Sequence, residues 1–149
     1  MPSRQTTLLF QVATPGLARR GARAFAKRLE SEVAGGCSFC CLITNDEELR
    51  RLNRQFRKKD YATDVLSFPA LGDQSTVLGE IAISFDTAKK QAAEQHHAVG
   101  EEIAVLMLHG VLHLLGMDHE TDRGQMARAE RKWRANLGLP AGLIERRSA

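Results

Sequence analysis

Read for the spacing of its apolar positions, the chain alternates strand-like and helix-like segments from end to end. "TTLLFQV" (residues 6–12) has the short, branched look of a first strand, and "PGLARRGARAFAKRLESEV" (15–33) then spaces Leu17, Ala24, Leu29 and Val33 as a helix would, with Pro15 suited to a first turn and Gly35–Gly36 to its end. "CSFCCLIT" (37–44) is apolar on both parities and so predicts a buried strand. "NDEELRRLNRQFR" (45–57) opens on a capping Asn45, carries acids in its first turn and cations towards its end, which is the charge order a helix dipole favours. "TDVLSFPA" (63–70) and "VLGEIAIS" (77–84) predict two strands joined by a polar stretch with Gly72 and Asp73, as a hairpin or loop-linked pair. Three helices close the order: "DTAKKQAAEQ" capped by Asp86, "EEIAVLMLHGVLHLL" ended by Gly116, and the amphipathic "GQMARAERKWRANLG". The pattern predicts an α+β fold in one domain, residues 1–149, with a small mixed sheet of about four strands packed with about five helices. Its most apolar helix is central and carries histidines.

Composition adds limits. At 149 residues, 43% apolar and 26% charged, the chain has the make-up of an ordinary globular domain. Its net charge of +3 is compatible with a polyanionic partner without requiring one. The cysteines, three in number, crowd one segment (Cys37, Cys40, Cys41), a poor disulfide framework that suggests a reducing compartment and no disulfide-linked partner. Cys37 and Cys40 also fall on opposite faces of a strand, which favours packing over shared metal binding. The N-terminal apolar run is too short for a signal peptide, and the stretch from Ile103 to Met117 falls short of the roughly 20 residues of a membrane helix. A cytoplasmic protein with no membrane partner is expected.

The chemistry concentrates in "LMLHGVLHLLGMDHE" (106–120), which holds three of the chain's five histidines. His109 and His113 are four apart, about 40° around a helix and about 6 Å along it, hence on one face. Gly116 lets the chain leave in a left-handed turn, so that His119 can fold back to the same point. Neutral imidazoles suit zinc, and three protein ligands with a fourth position open is the arrangement of catalytic zinc, which lowers the pKa of its water to about 7. Nickel or iron would also accept imidazoles. The zinc peptidase helix reads H-E-x-x-H, with the glutamate as base; here Gly110 follows His109, which removes that base. Glycine there either leaves room beside the metal or permits close packing.

"HGVLHLLGMDH" (109–119) closely resembles the signature of the YbeY family (UPF0054) of bacterial endoribonucleases and ribosomal RNA maturation factors. "LNRQFRKKDYATDVLSFP" (52–69) resembles the family's second signature, and "LGEIAIS" and Gln91–Ala92 fall where similar segments follow. The resemblance implies one zinc ion on His109, His113 and His119, and activity associated with Arg57. It also implies cleavage of single-stranded RNA in maturation of the 3′ end of small-subunit (16S) ribosomal RNA and in ribosome quality control. Ribosomal RNA, the small ribosomal subunit and its assembly factors are the implied partners. Three positions depart from the family pattern: Met117 stands where tyrosine is usual, Lys58 where glycine is common, and Glu80 where aspartate is usual.

The remaining charged residues divide. Residues 50–59, "RRLNRQFRKK", hold six cations that read as a solvated helix face, except Arg57, which its place in the resembling motif singles out and whose guanidinium would suit a phosphodiester through paired hydrogen bonds. Glu102 reads as a first-turn acid facing the helix dipole, and His97 as a surface residue. Asp118 fits either a turn or an acceptor orienting a histidine. Two other classes of function stay in view: a non-catalytic zinc module that binds the ribosome, which requires a fourth protein ligand such as Asp118 or a cysteine, and a metallopeptidase, which Gly110 opposes.

Overall fold

The four expected strands form one sheet in the computed structural model, which describes residues 5–60, 63–70 and 76–148. They are β1 (Thr7–Phe10), β2 (Ser38–Thr44), β3 (Val65–Pro69) and β4 (Val77–Ser84), laid side by side as β1-β2-β4-β3. β2 runs parallel to both of its neighbours, and β3 pairs antiparallel with the outer side of β4. The helices are α1 (Arg19–Glu32), α2 (Asp46–Arg57), α3 (Phe85–Glu94), α4 (Val99–Leu114), α5 (Gln125–Asn136) and α6 (Leu143–Ser148). The polar stretch with Gly72 and Asp73 lies outside the described residues.

A strand flanked in parallel on both sides has to be apolar on both faces, and β2 is. Phe39, Cys41 and Ile43, with Leu8 of β1 and Ile81 and Ile83 of β4, form one buried layer. Against it lies α4, which packs on β3, β4, α1 and α3. Every residue from Glu102 to Leu112 is buried, as expected of a helix that is apolar all round. On the other face, Leu49 and Leu52 of α2 cover only Leu66, Ala82 and Phe68. A groove of about 1160 Å³ remains beside them, lined by Leu9, Cys40, Leu42, Phe56, Arg57 and Glu80 among others.

Several local expectations change. Pro15 does not start α1; Leu17 N–H donates to the Thr14 carbonyl, and Gly16 has φ +84°, so Pro15–Gly16 occupies the middle of a type II turn before the helix. Asn45 caps α2 as expected, but α3 is capped by Ser84, whose hydroxyl accepts from Thr87 N–H. Asp86 instead accepts from Asp46 N–H and joins the first turns of α2 and α3. α6 is a sixth helix beyond the five expected. Cys37 and Cys41 pack with the core, whereas Cys40 faces the groove rather than the core.

Two residues carry consequences for stability. A Cβ on Gly110 would stand 2.9 Å from both Cδ1 and Cγ2 of Ile81, so the glycine exists for close helix-to-sheet packing and not to leave room beside the histidines. Gly110→Ala is expected to destabilise the fold by about 1–3 kcal/mol in urea titrations, with partial recovery when combined with Ile81→Val, which removes one of the two obstructing methyls. Lys58 terminates α2 in the left-handed region at φ +56°, ψ +33°. Lys58→Gly should therefore raise stability by about 1 kcal/mol, read as a higher urea midpoint at unchanged slope.

Candidate metal centre

The end of α4 brings the three histidines together. His109 is buried at 3% exposure and His113 lies one turn further on, with ring centroids 4.8 Å apart. The helix then stops: Gly116 takes φ +95°, its N–H donates to the His113 carbonyl, and Met117 N–H donates to the Leu112 carbonyl. Asp118 folds the following turn, its side chain accepting from Glu120 N–H at 3.1 Å and its carbonyl from Asp122 N–H. Asp122 in turn accepts from Gly124 and Met126 N–H, which fixes the entry to α5. The product is a return of His119 to within 5.7 Å of the His109 ring and 5.8 Å of the His113 ring. One nitrogen from each imidazole lies within 4.8 Å of the others, so the three could hold a metal ion.

Their hydrogen bonds select the nitrogens. His109 Nδ1 donates to Glu130 Oε2 at 2.9 Å and His113 Nδ1 donates to the Met117 carbonyl at 2.9 Å. Since a carbonyl and a carboxylate only accept, both rings carry a proton on Nδ1, and in the neutral imidazole this arrangement leaves the lone pair on Nε2, the form that binds a metal. Burial and the neighbouring His109 lower the pKa of His113 and favour its neutral form. His119 Nδ1 is buried with no hydrogen-bond partner among the described residues, a state that a bound metal or a polar ligand would relieve. These features fit a divalent ion with imidazole preference. No carboxylate or thiol among the described residues joins the three histidines, which leaves room for a further ligand.

Of the other singled-out residues, Asp118 serves the turn and bonds no histidine. Arg57 is exposed at the end of α2; its Nη2 donates to the Ser67 carbonyl at 2.6 Å and its guanidinium lies 5.9 Å from the Phe68 ring. It meets the histidine helix only indirectly, because Ser67 Oγ donates to the Gly110 carbonyl at 3.2 Å. Three of its cationic neighbours are engaged with acids: Arg50 and Arg54 with Asp60, Arg51 with Glu48. Glu80 is exposed on the groove side of β4.

Two expectations are corrected. His97 is not a surface residue: its side chain is 10% exposed and its Nε2 lies 2.7 Å from Glu102 Oε1. Glu102 is fully buried and is held by Arg146 of α6 through two hydrogen bonds of 2.9 and 3.0 Å, so it is an ion-pair anchor and not merely a first-turn acid. Glu130 escaped the sequence reading altogether. Its signal was an acid placed in line with Met126, Trp133 and Leu137 on the apolar stripe of α5, where only a carboxylate with internal partners can stay.

A model of the family described as Endoribonuclease YbeY matches residues 12–138. The chain belongs to the YbeY family. An Endoribonuclease YbeY from Solibacter usitatus is 59% identical over 141 residues, covering 95% of this chain and 94% of its own. Another YbeY, from Koribacter versatilis, is 55% identical over 105 residues, which is 70% of this chain and 68% of its own. Among solved structures, a Thermotoga maritima protein matches with a TM-score of 0.60 at 25% identity, over 88% of this chain and 93% of that one. No described helix of this YbeY chain is long and apolar enough to cross a membrane.

The geometry separates Asp118 from the histidines experimentally. In zinc titrations against a chromophoric chelator, Asp118→Asn is expected to keep the affinity of the unaltered chain. His119→Ala should lower it by more than the roughly 100-fold upper range for loss of a supporting group.

Proposed function

We propose that this chain is a zinc-dependent endoribonuclease that cleaves single-stranded RNA, with residues 1–149 acting as one catalytic domain and His109, His113 and His119 as the metal ligands. The observation that carries the reading is the convergence of three imidazoles, two with Nδ1 already engaged, in a chain whose relatives are named endoribonucleases. Zinc is favoured by an all-nitrogen donor set, although nickel would also fit it. The substrate we propose is the 3′ end of small-subunit (16S) ribosomal RNA, cleaved in the cytoplasm in company with the small subunit and its assembly factors, with a further role in ribosome quality control.

When bound, zinc would supply Lewis acidity towards a phosphoryl oxygen and towards water. The chain's own residues do the rest. Glu130 and the Met117 carbonyl keep His109 and His113 in the tautomer that presents Nε2. Arg57 uses one N–H on Ser67, and a guanidinium has five, so others are available to pair with a phosphodiester and to stabilise the extra negative charge that develops at phosphorus. Either water or the ribose 2′-hydroxyl could attack; a 2′,3′-cyclic phosphate product marks the second route and a linear end the first.

A non-catalytic zinc module is the second reading. The three-member histidine group disfavours it, because a closed structural site takes a fourth protein ligand. A peptidase is disfavoured by Gly110, whose packing against Ile81 leaves no place for the missing glutamate.

The test is cleavage of single-stranded and duplex ribosomal RNA fragments by one preparation, with His113→Ala and Arg57→Ala purified alongside. Expected are cleavage of single strands only, loss of activity on chelation or in His113→Ala, and a fall of about 10²–10³ in rate for Arg57→Ala, the range for losing one donor to a developing oxyanion. Equal cleavage by all three proteins would assign the activity to a contaminant.

A further inference from the structure

The carboxylate of Glu130 is buried with no exposed surface, and its two oxygens serve different parts of the chain. Oε2 accepts from His109 Nδ1 at 2.9 Å; Oε1 accepts from the backbone N–H of Ile144 at 2.7 Å. Gly142 lies directly against it: a Cβ there would stand 2.3 Å from Oε1, 2.6 Å from Cδ and 2.7 Å from Cγ. The segment that makes these contacts is docked on α4 a second time, through the two hydrogen bonds from Arg146 to Glu102. Glu102 lies seven residues before His109 on the same helix. Leu143 and Ile144, which lie between Gly142 and Arg146 in the chain, are buried in the core.

From this arrangement we infer that Glu130 is a positioning residue for His109, and that the C-terminal segment Gly142–Arg146 holds it in position, so that metal affinity is set partly by residues far outside the histidine motif. Two N–H groups reach separate oxygens of Glu130, and a carboxylate offers an acceptor to each. Removing one acceptor forces a choice between the imidazole and Ile144. Filling the space at Gly142 displaces the carboxylate without touching any histidine. Either change frees the His109 ring to rotate and to exchange its Nδ1 and Nε2 tautomers, and supporting groups of this kind commonly contribute tenfold to hundredfold to metal affinity.

The inference rests on the three histidines binding a metal, so its test reads metal binding in the full chain and not RNA cleavage. Unaltered protein, Glu130→Gln and Gly142→Ala are stripped with a chelator, checked for folding by circular dichroism and thermal melting, and titrated with zinc against a chromophoric competitor. They are then loaded with cobalt(II) to record the visible ligand-field bands. The expected result is zinc affinity lower by about tenfold to hundredfold in both variants, with weakened or shifted cobalt bands. Should Gly142→Ala fail to fold, Glu130→Gln decides alone, since glutamine keeps the size and loses one acceptor. If the variants melt earlier but bind zinc as tightly as the unaltered chain, with the same cobalt spectrum, Glu130 is only a packing residue and the inference is overturned. If the unaltered chain itself takes up no zinc, the metal reading falls and this inference with it.

Discussion

A helix buried on every side has no water to satisfy the polar groups it carries, and α4 carries two that the fold cannot leave unpaired: Glu102 at one end and His109 towards the other. Each is answered by a group from a later part of the chain, and Glu102 also by a histidine just before it. Arg146 and His97 answer Glu102, and Glu130 answers His109. Much of the C-terminal third follows from these two demands. α5 has to pass alongside α4 with an acid turned inward, and the chain has to come back after Gly138 so that α6 can meet both Glu130 and Glu102. An unpaired buried carboxylate or imidazole costs several kcal/mol in the interior, comparable with the burial of one or two large apolar side chains, so these pairings restrict how α4, α5 and α6 can be arranged.

The sheet imposes the other half of the arrangement. Because β4 lies between β2 and β3, Ile81 is centred under α4, and the close approach at Gly110 sets how near the helix can come. The same approach lets Ser67 of β3 bond the Gly110 carbonyl through its hydroxyl while its own carbonyl accepts from Arg57. α2 is therefore tied through the edge strand to the turn of α4 that bears the histidines. Arg57 and the imidazole-bearing turn of α4 are thus connected through one residue of β3.

What could be read from the amino-acid sequence was whatever is written in local periodicity. The strands, the helical register of His109 and His113, and the reversal at Gly116 need only neighbours within a few positions. Boundaries were less legible where two capping residues competed: Ser84 and Asp86 both suit a helix start, and the choice fell to Ser84 because Asp86 has a partner in α2. The residues misread or missed are those whose meaning depends on a distant partner. His97 beside His96 looks like a surface loop until Glu102 is placed beside it, and Glu102 looks like a first-turn acid until Arg146 arrives from 44 positions away. Glu130 acquires its role only when α5 crosses α4, and α6 is too short to announce itself by periodicity.

Two departures from the family pattern come apart on physical grounds. At position 117 the contact that matters to the site is made by the main chain: the Met117 carbonyl takes the Nδ1 proton of His113, and any residue provides a carbonyl. The methionine side chain packs against the core, where a thioether fills space without needing a partner. The exchange is thus neutral for His113 as long as Gly116 keeps the turn that aims the carbonyl. Position 58 is the opposite case, because there the main chain is what the side chain disturbs: a left-handed φ that glycine adopts freely is imposed on a lysine. A family preference at a site can record a side chain, a carbonyl or a dihedral angle. In this chain the contact at 117 is a carbonyl and the constraint at 58 is a dihedral angle.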